Sequence, residues 1–207
     1  TIPTIGGITV WGTGDSYITP SGAQIGDTII MTKGAAIEAA ALLAGELGAE
    51  LIDKGVKKEL VDRAKKRLKE VTVVNDARLA MEVGGVNAMH DATEGGVVRG
   101  LWEIAQASNV GMKIMQRDIP VPEDIAAICS FFNLNPYEII SEGTLVLTCQ
   151  PSSAEALLEK FIESGIDAKA IGEVTPAKEG CYWKEDDGRQ TVLVPPESDL
   201  FWGVFFN

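Results

Sequence analysis

The chain has 207 residues, 45% of them apolar, enough for a packed core in one domain or a domain and a part. Thirty acids against eighteen bases give a formal net charge of -12, which disfavours nucleic-acid binding by electrostatic attraction, so any nucleotide has to be gripped locally. Cys129, Cys149 and Cys181 are odd in number and never in a C-x-x-C pair, which points away from zinc and disulfide frameworks and toward a reducing cytoplasm. No apolar run approaches the roughly 18 residues of a membrane span.

In chain order, residues 7–12 read as a short strand that feeds a turn-rich linker over 19–27. Residues 28–32 form a compact apolar strand, and Lys33-Gly34 turns into an Ala/Leu-rich helix over about 35–47, with Gly48 at its C-terminal side. Over 54–69, bases alternate with Glu59, Leu60, Val61, Asp62, Ala64 and Leu68 at helical spacing, the pattern of a solvated amphipathic face rather than a basic binding patch. A short helix over 76–82, a strand over 86–90, a glycine turn and a helix to about Ser108 follow. Then come a strand at 111–115, a helix introduced by Pro120-Val121-Pro122-Glu123-Asp124, and a buried strand at 145–149. Ser152 to Glu155 form a capping box that opens a helix closed by Gly165. Residues 168–174 return as a strand, and 181–184 with 191–194 read as a hairpin around Asp187-Gly188. The sum is an α/β (α+β) fold with a mixed sheet and no strict β-α-β alternation.

One stretch carries chemistry. Met89-His90-Asp91-Ala92-Thr93-Glu94-Gly95-Gly96, followed by Val97, Val98, Leu101, Ile104 and Ala105 at helical spacing, reads as strand, tight turn and helix. The first N–H groups of that helix have no intrahelical partner, so a phosphate can settle on them. Equally, Thr93 can be the N-cap, with Gly95 and Gly96 present for backbone freedom or close packing. Neither a Walker nor a dinucleotide fingerprint occurs. His90 is the only histidine, which leaves no His-based metal cage or Ser-His-Asp triad, and it reads as the end of a buried strand.

With this turn, the Ser141-Glu142-Gly143-Thr144-Leu145 loop-to-strand and the Ile171-Gly172-Glu173-Val174 strand in one order, the chain resembles the C-terminal domain of the aminoimidazole ribonucleotide (AIR) synthase superfamily over roughly residues 20–200. That superfamily includes purine-synthesis ligases, selenophosphate synthetase, thiamine-monophosphate kinase and HypE. The 90–96 turn looks most like the His-Asp-Pro-Thr-Arg-Gly-Gly turn of HypE-type members. The resemblance implies a PurM C-terminal-domain-like mixed sheet flanked by helices over 20–207, with 1–19 as the last strand of an N-terminal ATP-binding domain plus a linker. It implies ATP and Mg2+, both held largely by that N-terminal domain, a small-molecule substrate and a homodimer. Asp91, Thr93, Gly95 and Gly96 carry over as the cofactor-binding, phosphate-facing turn, and Glu142 and Asp91 as catalytic carboxylates; no metal ligands are implied here. Glu142 reads alternatively as an exposed acid capping a turn.

The start at Thr1 suggests a fragment or a processed product, and the resemblance implies that the chain is half of a nucleotide site and inactive alone. Glu94 stands where HypE-type proteins have arginine, removing a cation that would stabilise phosphate. The HypE ending Pro-Arg-Ile-Cys is replaced by Phe201-Trp202-Gly203-Val204-Phe205-Phe206-Asn207, and Cys181 is a poor substitute for a mobile acceptor thiol. The competing expectations are another ATP-dependent ligase or kinase of the superfamily, or a non-catalytic dimerisation or partner-docking domain. In the latter, Leu200, Phe201, Trp202, Phe205 and Phe206 either cover the chain's own core or dock elsewhere.

Overall fold

Thr144–Cys149 is buried at every position, because it lies inside a sheet with layers on both faces. In chain order the strands are β1 (Thr28–Thr32), β2 (Val86–Ala92), β3 (Val110–Met115), β4 (Thr144–Cys149), β5 (Ala168–Pro176), β6 (Cys181–Lys184) and β7 (Gln190–Val192). They form one seven-stranded mixed sheet in the order β2-β4-β1-β5-β3-β6-β7, antiparallel throughout except for the β3–β6 pair. The helices are α1 (Ile37–Asp53), α2 (Lys58–Lys66), α3 (Val74–Val83), α4 (Gly96–Ser108), α5 (Glu123–Phe131), α6 (Pro151–Glu163) and α7 (Phe201–Phe205). This computed structural model describes residues 7–185 and 187–206.

The period of two in β1 splits its side chains between layers. Ile29 and Met31 pack with Val97, Leu101 and Ile104 of α4, whereas Ile30 joins Leu79, Leu157 and Phe161 from α3 and α6. A third cluster joins α1, α2 and α5 through Ile37, Leu43, Leu51, Val61, Ile125 and Ile128, and takes in Phe201 from α7. Burying each of these large side chains stabilises the fold by about 1.5–3 kcal/mol. Among the described residues no helix is long and apolar enough to cross a membrane.

Several local expectations are corrected. The Ala/Leu helix does not stop near Leu47: α1 runs through Gly45 and Gly48 to Asp53. Gly48 is there for contact, since a Cβ on it would lie 3.2 Å from Val61 Cγ1 and 2.6 Å from Lys65 Nζ of α2. The charged segment is helical only from Lys58, because Gly55 at φ +100° separates it from α1, and it tightens into a 3-10 turn at Arg67–Glu70. The capping box at Ser152 does not form. Pro151, with φ preset for a helix start, takes the first turn, and Gln150 is the N-cap without a side-chain bond. No strand forms over residues 7–12, whose Ile8, Val10 and Trp11 lie exposed, because an extended segment without a neighbour has no ladder to join. Residues 1–6 of the expected segment 1–19, and Asn207, lie outside the described residues.

The register gathers the site at one rim of the sheet. β1 ends at Thr32 opposite Ala168, and β2 ends at Ala92 opposite Thr144. The turns after β1 and β2 and the loop before β4 therefore emerge together. A polar knot fixes this rim: Thr32 Oγ1 donates to the buried Asp76 carboxylate at 2.7 Å and accepts from the Leu145 amide at 3.2 Å. The Lys33 ammonium donates to the Glu70 and Thr72 carbonyls at 3.1 and 2.8 Å and pairs with Asp76 at 3.2 Å.

Candidate functional site

The α1 corner is built from short polar side chains. Ala36 sits in the left-handed region at φ +56°, and its amide donates to Ser141 Oγ at 2.8 Å. Ser141 Oγ and Thr144 Oγ1 are 2.8 Å apart, and the latter donates to the Gly34 carbonyl at 2.5 Å. Gly143, at φ +102°, passes so near the 3-10 turn that a Cβ would lie 2.5 Å from the Glu70 carbonyl oxygen. These bonds tie the first turn of α1 to the loop before β4 and bring Glu38 to Glu142. Glu142 Oε2 is buried and has no hydrogen-bond donor. Burial first, then the Glu142 carboxyl group beside it, then the charge of Asp199 push the Glu38 carboxyl up from 4.5 to about 8.

The glycine turn is held differently. Gly95 and Gly96 take φ of +74° and +62°, conformations open to glycine, and α4 begins at Gly96. The Gly95 amide donates to Asp199 Oδ2 at 2.9 Å, and Asp199 Oδ1 accepts from the Phe201 amide at 3.0 Å. The Gly96 amide donates to the Thr93 carbonyl at 3.0 Å and that of Val98 to the Tyr137 carbonyl at 3.1 Å. Thr93 is therefore not the N-cap; Gly95 holds that position without a side-chain bond. A Cβ on Gly96 would lie 2.7 and 2.6 Å from the Tyr137 and Ile139 carbonyl oxygens, so only glycine admits that segment. Beside the turn lies a cavity of about 330 Å³ whose charged lining is Glu94, Glu103, Glu197 and Asp199 against Arg99 alone. The Arg99 guanidinium donates to the Pro196 carbonyl.

Of the residues expected at the site, Thr93 and Gly95 line this cavity, Gly96 lies buried behind them at the start of α4, and Glu142 belongs to the α1 corner, half-buried rather than an exposed cap. Asp199 links the two, bonding Gly95 and acting on Glu38. Asp91 stands apart: its side chain is 50% exposed, and its partner is His90 Nδ1 at 3.3 Å. His90 does not end a buried strand, because β2 continues to Ala92 and the ring contacts Glu103 of α4 at 2.7 Å. Asp91 first, then Glu103, hold the His90 pKa above its usual value, and His90 holds Asp91 below its own.

Sequence reasoning missed Glu38, Arg99 and Asp199. Arg99 was the findable one, a cation four residues beyond Gly95 and hence one helical turn along. Burial pushes the thiols of Cys129 and Cys149 up to about 12 and that of Cys181 upward, so none is an activated nucleophile. Among the described residues no group of three or more His, Cys, Asp or Glu side chains is arranged to hold a metal.

The fold is that of a known class. Residues 24–184 match the family described as AIR synthase related protein, C-terminal domain, and the chain belongs to that family. Among curated relatives it is similar to the carbamoyl dehydratase HypE of Cupriavidus necator, 32% identical over 170 residues, which cover 79% of this chain and 48% of that protein. Among solved structures, Escherichia coli HypE superposes with a TM-score of 0.74 at 24% identity over 89% of this chain and 54% of that one. A HypE in complex with ATP superposes with a TM-score of 0.68 at 22% identity over 87% and 54%. The chain spans about half the length of the relatives it matches.

Proposed function

We propose that this chain is the C-terminal half of a HypE-like, ATP-dependent enzyme, and that its glycine turn contributes a phosphate contact during activation of a small substrate. The observation that carries this reading is the Gly95 amide, which already holds an anionic oxygen at 2.9 Å from the chain's own Asp199. A helix N-terminus beside a glycine turn accepts a phosphate oxygen for the same reason that it accepts a carboxylate. The family membership and the fold shared with an ATP-bound HypE support the choice of nucleotide.

ATP, when bound, supplies the phosphoryl group that activates an oxygen of the substrate. In this reading Gly95 orients one phosphate oxygen, Thr93 and Gly96 shape the turn, and Glu142 holds or takes a proton at the reacting group. Four carboxylates against one arginine repel a bare polyphosphate, so Mg2+ and cations from outside this chain complete the neutralisation that phosphoryl transfer requires. Asp91, exposed and paired with His90, then acts through that imidazole, and a homodimer brings the complete site together.

The test is an amide NMR titration of the chain with Mg–ATP, repeated on Asp199→Asn. Shifts centred on Thr93 to Val97, larger in the variant because the competing carboxylate is gone, are the expected outcome. Shifts centred elsewhere, or none in Asp199→Asn at millimolar nucleotide, overturn the phosphate contact. A second reading, partner docking, is favoured by one observation: Leu200 and Phe206, flanking α7, are 61% and 77% exposed.

A further inference from the structure

We propose that Glu38 and Glu142 hold one proton between them, with Glu38 as the donor, making Glu38 the positioning residue that fixes the charge and orientation of Glu142. The inference rests on the reading of Glu142 as the carboxylate beside the substrate. Its first ground is geometric. Glu142 Oε2 is buried and no protein donor reaches it, a costly state for an ionised oxygen. The acid that acts on it is Glu38, in the first turn of a helix whose lead-in is tied to the Glu142 loop by two buried hydrogen bonds, Ala36 to Ser141 and Thr144 to Gly34. Two ionised carboxylates in that position repel, and neither has a hydrogen to offer. A single proton on Glu38 removes both costs, because its O–H supplies the donor that Glu142 Oε2 lacks.

The groups that face Glu38 agree. Burial is the largest influence disfavouring its ionised form, and the acids Glu142 from the loop and Asp199 from the C-terminal segment add to it, so that its pKa stands near 8. The pair then carries one negative charge rather than two at neutral pH. A phosphate approaching Gly95 meets less repulsion, and Glu142 alone keeps the lone pairs that can take a proton from a substrate. Above about pH 8 that arrangement is lost, since Glu38 ionises and the orphaned oxygen returns.

The experiment is a carbon-13 NMR titration of the glutamate carboxyls in the chain without nucleotide, so that its outcome does not depend on whether ATP binds. One glutamate is expected to stay protonated to about pH 8, lost from the spectrum in Glu38→Gln and titrating at lower pH in Glu142→Gln, with a smaller downward shift in Asp199→Asn. Urea unfolding gives a second readout. A folded-state pKa raised above the unfolded value of 4.5 means that stability declines as pH rises from about 4.5 to 8. Glu38→Gln, which keeps a donor toward Glu142 at every pH, removes that decline, whereas Glu38→Ala lacks the donor throughout. Ordinary titration of every glutamate, or a high-titrating one indifferent to Glu142→Gln, overturns the proposal. A confirmed shared proton in a chain whose Gly95 ignores Mg–ATP leaves this pair standing and removes only the phosphate contact.

Discussion

The glycine turn and the α1 corner lie at the same rim of the sheet but solve the placement of polar groups in opposite ways. At the turn, backbone amides find partners within the chain: Gly95 with Asp199, Gly96 with Thr93, Val98 with Tyr137. At the corner the backbone is satisfied by Ser141 and Thr144, while a buried carboxylate oxygen of Glu142 has no donor unless Glu38 carries the proposed proton. The turn is thus rigid and self-capped, and the corner holds the unmet demand. A glycine motif marks where a backbone must bend; an orphaned side-chain atom marks where a proton or ligand is wanted.

Breaking the turn has the largest expected effect. Gly96→Ala forces a Cβ against two backbone carbonyl oxygens at φ +62° and should cost about 3 kcal/mol or more in urea unfolding. Gly95→Ala meets the Arg99 side chain rather than backbone, from its Cβ at 3.0 Å outward, and should cost about 1–2 kcal/mol from that contact and its positive φ. Equal losses would mean that the 137–139 segment yields, and that the turn is less rigid than the corner. Next comes Ser141→Ala, which strands the buried Ala36 amide and should cost about 1–3 kcal/mol while detaching Glu38 from Glu142. If stability and the glutamate titration both survive it, the corner is not held by this knot.

The smallest effect belongs to His90. Its folded pKa is raised by Asp91 and then Glu103, so its contribution is complete below the unfolded value near 6.5 and is lost as pH rises through the folded one. The partly exposed contacts limit it to under about 1 kcal/mol, and comparing His90→Asn with the parent chain at pH 5.5 and 8 measures it.

The glycine turn was legible because two adjacent glycines between a strand pattern and a helix pattern leave few other conformations. The mixed sheet was legible for a related reason: β1 and β4 are apolar runs bounded by turn formers. Asp199 was not legible, because its bond to Gly95 joins residues 104 positions apart and nothing local announces it. Glu38 was hidden among alanines, where one acid in a first turn reads as a helix start and its opposing acid lies in a distant loop. Gly48 misled for the converse reason: the residue that ends many helices also lets two helices approach, and α2 decides which.

β2 stands at the outer edge of the sheet, so among the described residues no strand lies beside one side of its backbone. The two ends of that edge are guarded by different means. Near its start, Gly22 presses so closely that a Cβ would lie 2.0 Å from the Asn87 carbonyl oxygen, and the short 3-10 turn at Pro20–Gly22 covers it. Toward its end, the hydrogen-bonded His90–Asp91 pair puts polar groups, the Asp91 carboxylate half-exposed, where a foreign strand would have to desolvate them to add itself. Neutralising both residues would therefore do more harm in a concentrated solution than in a dilute one, because the protection lost is against copies of the same edge.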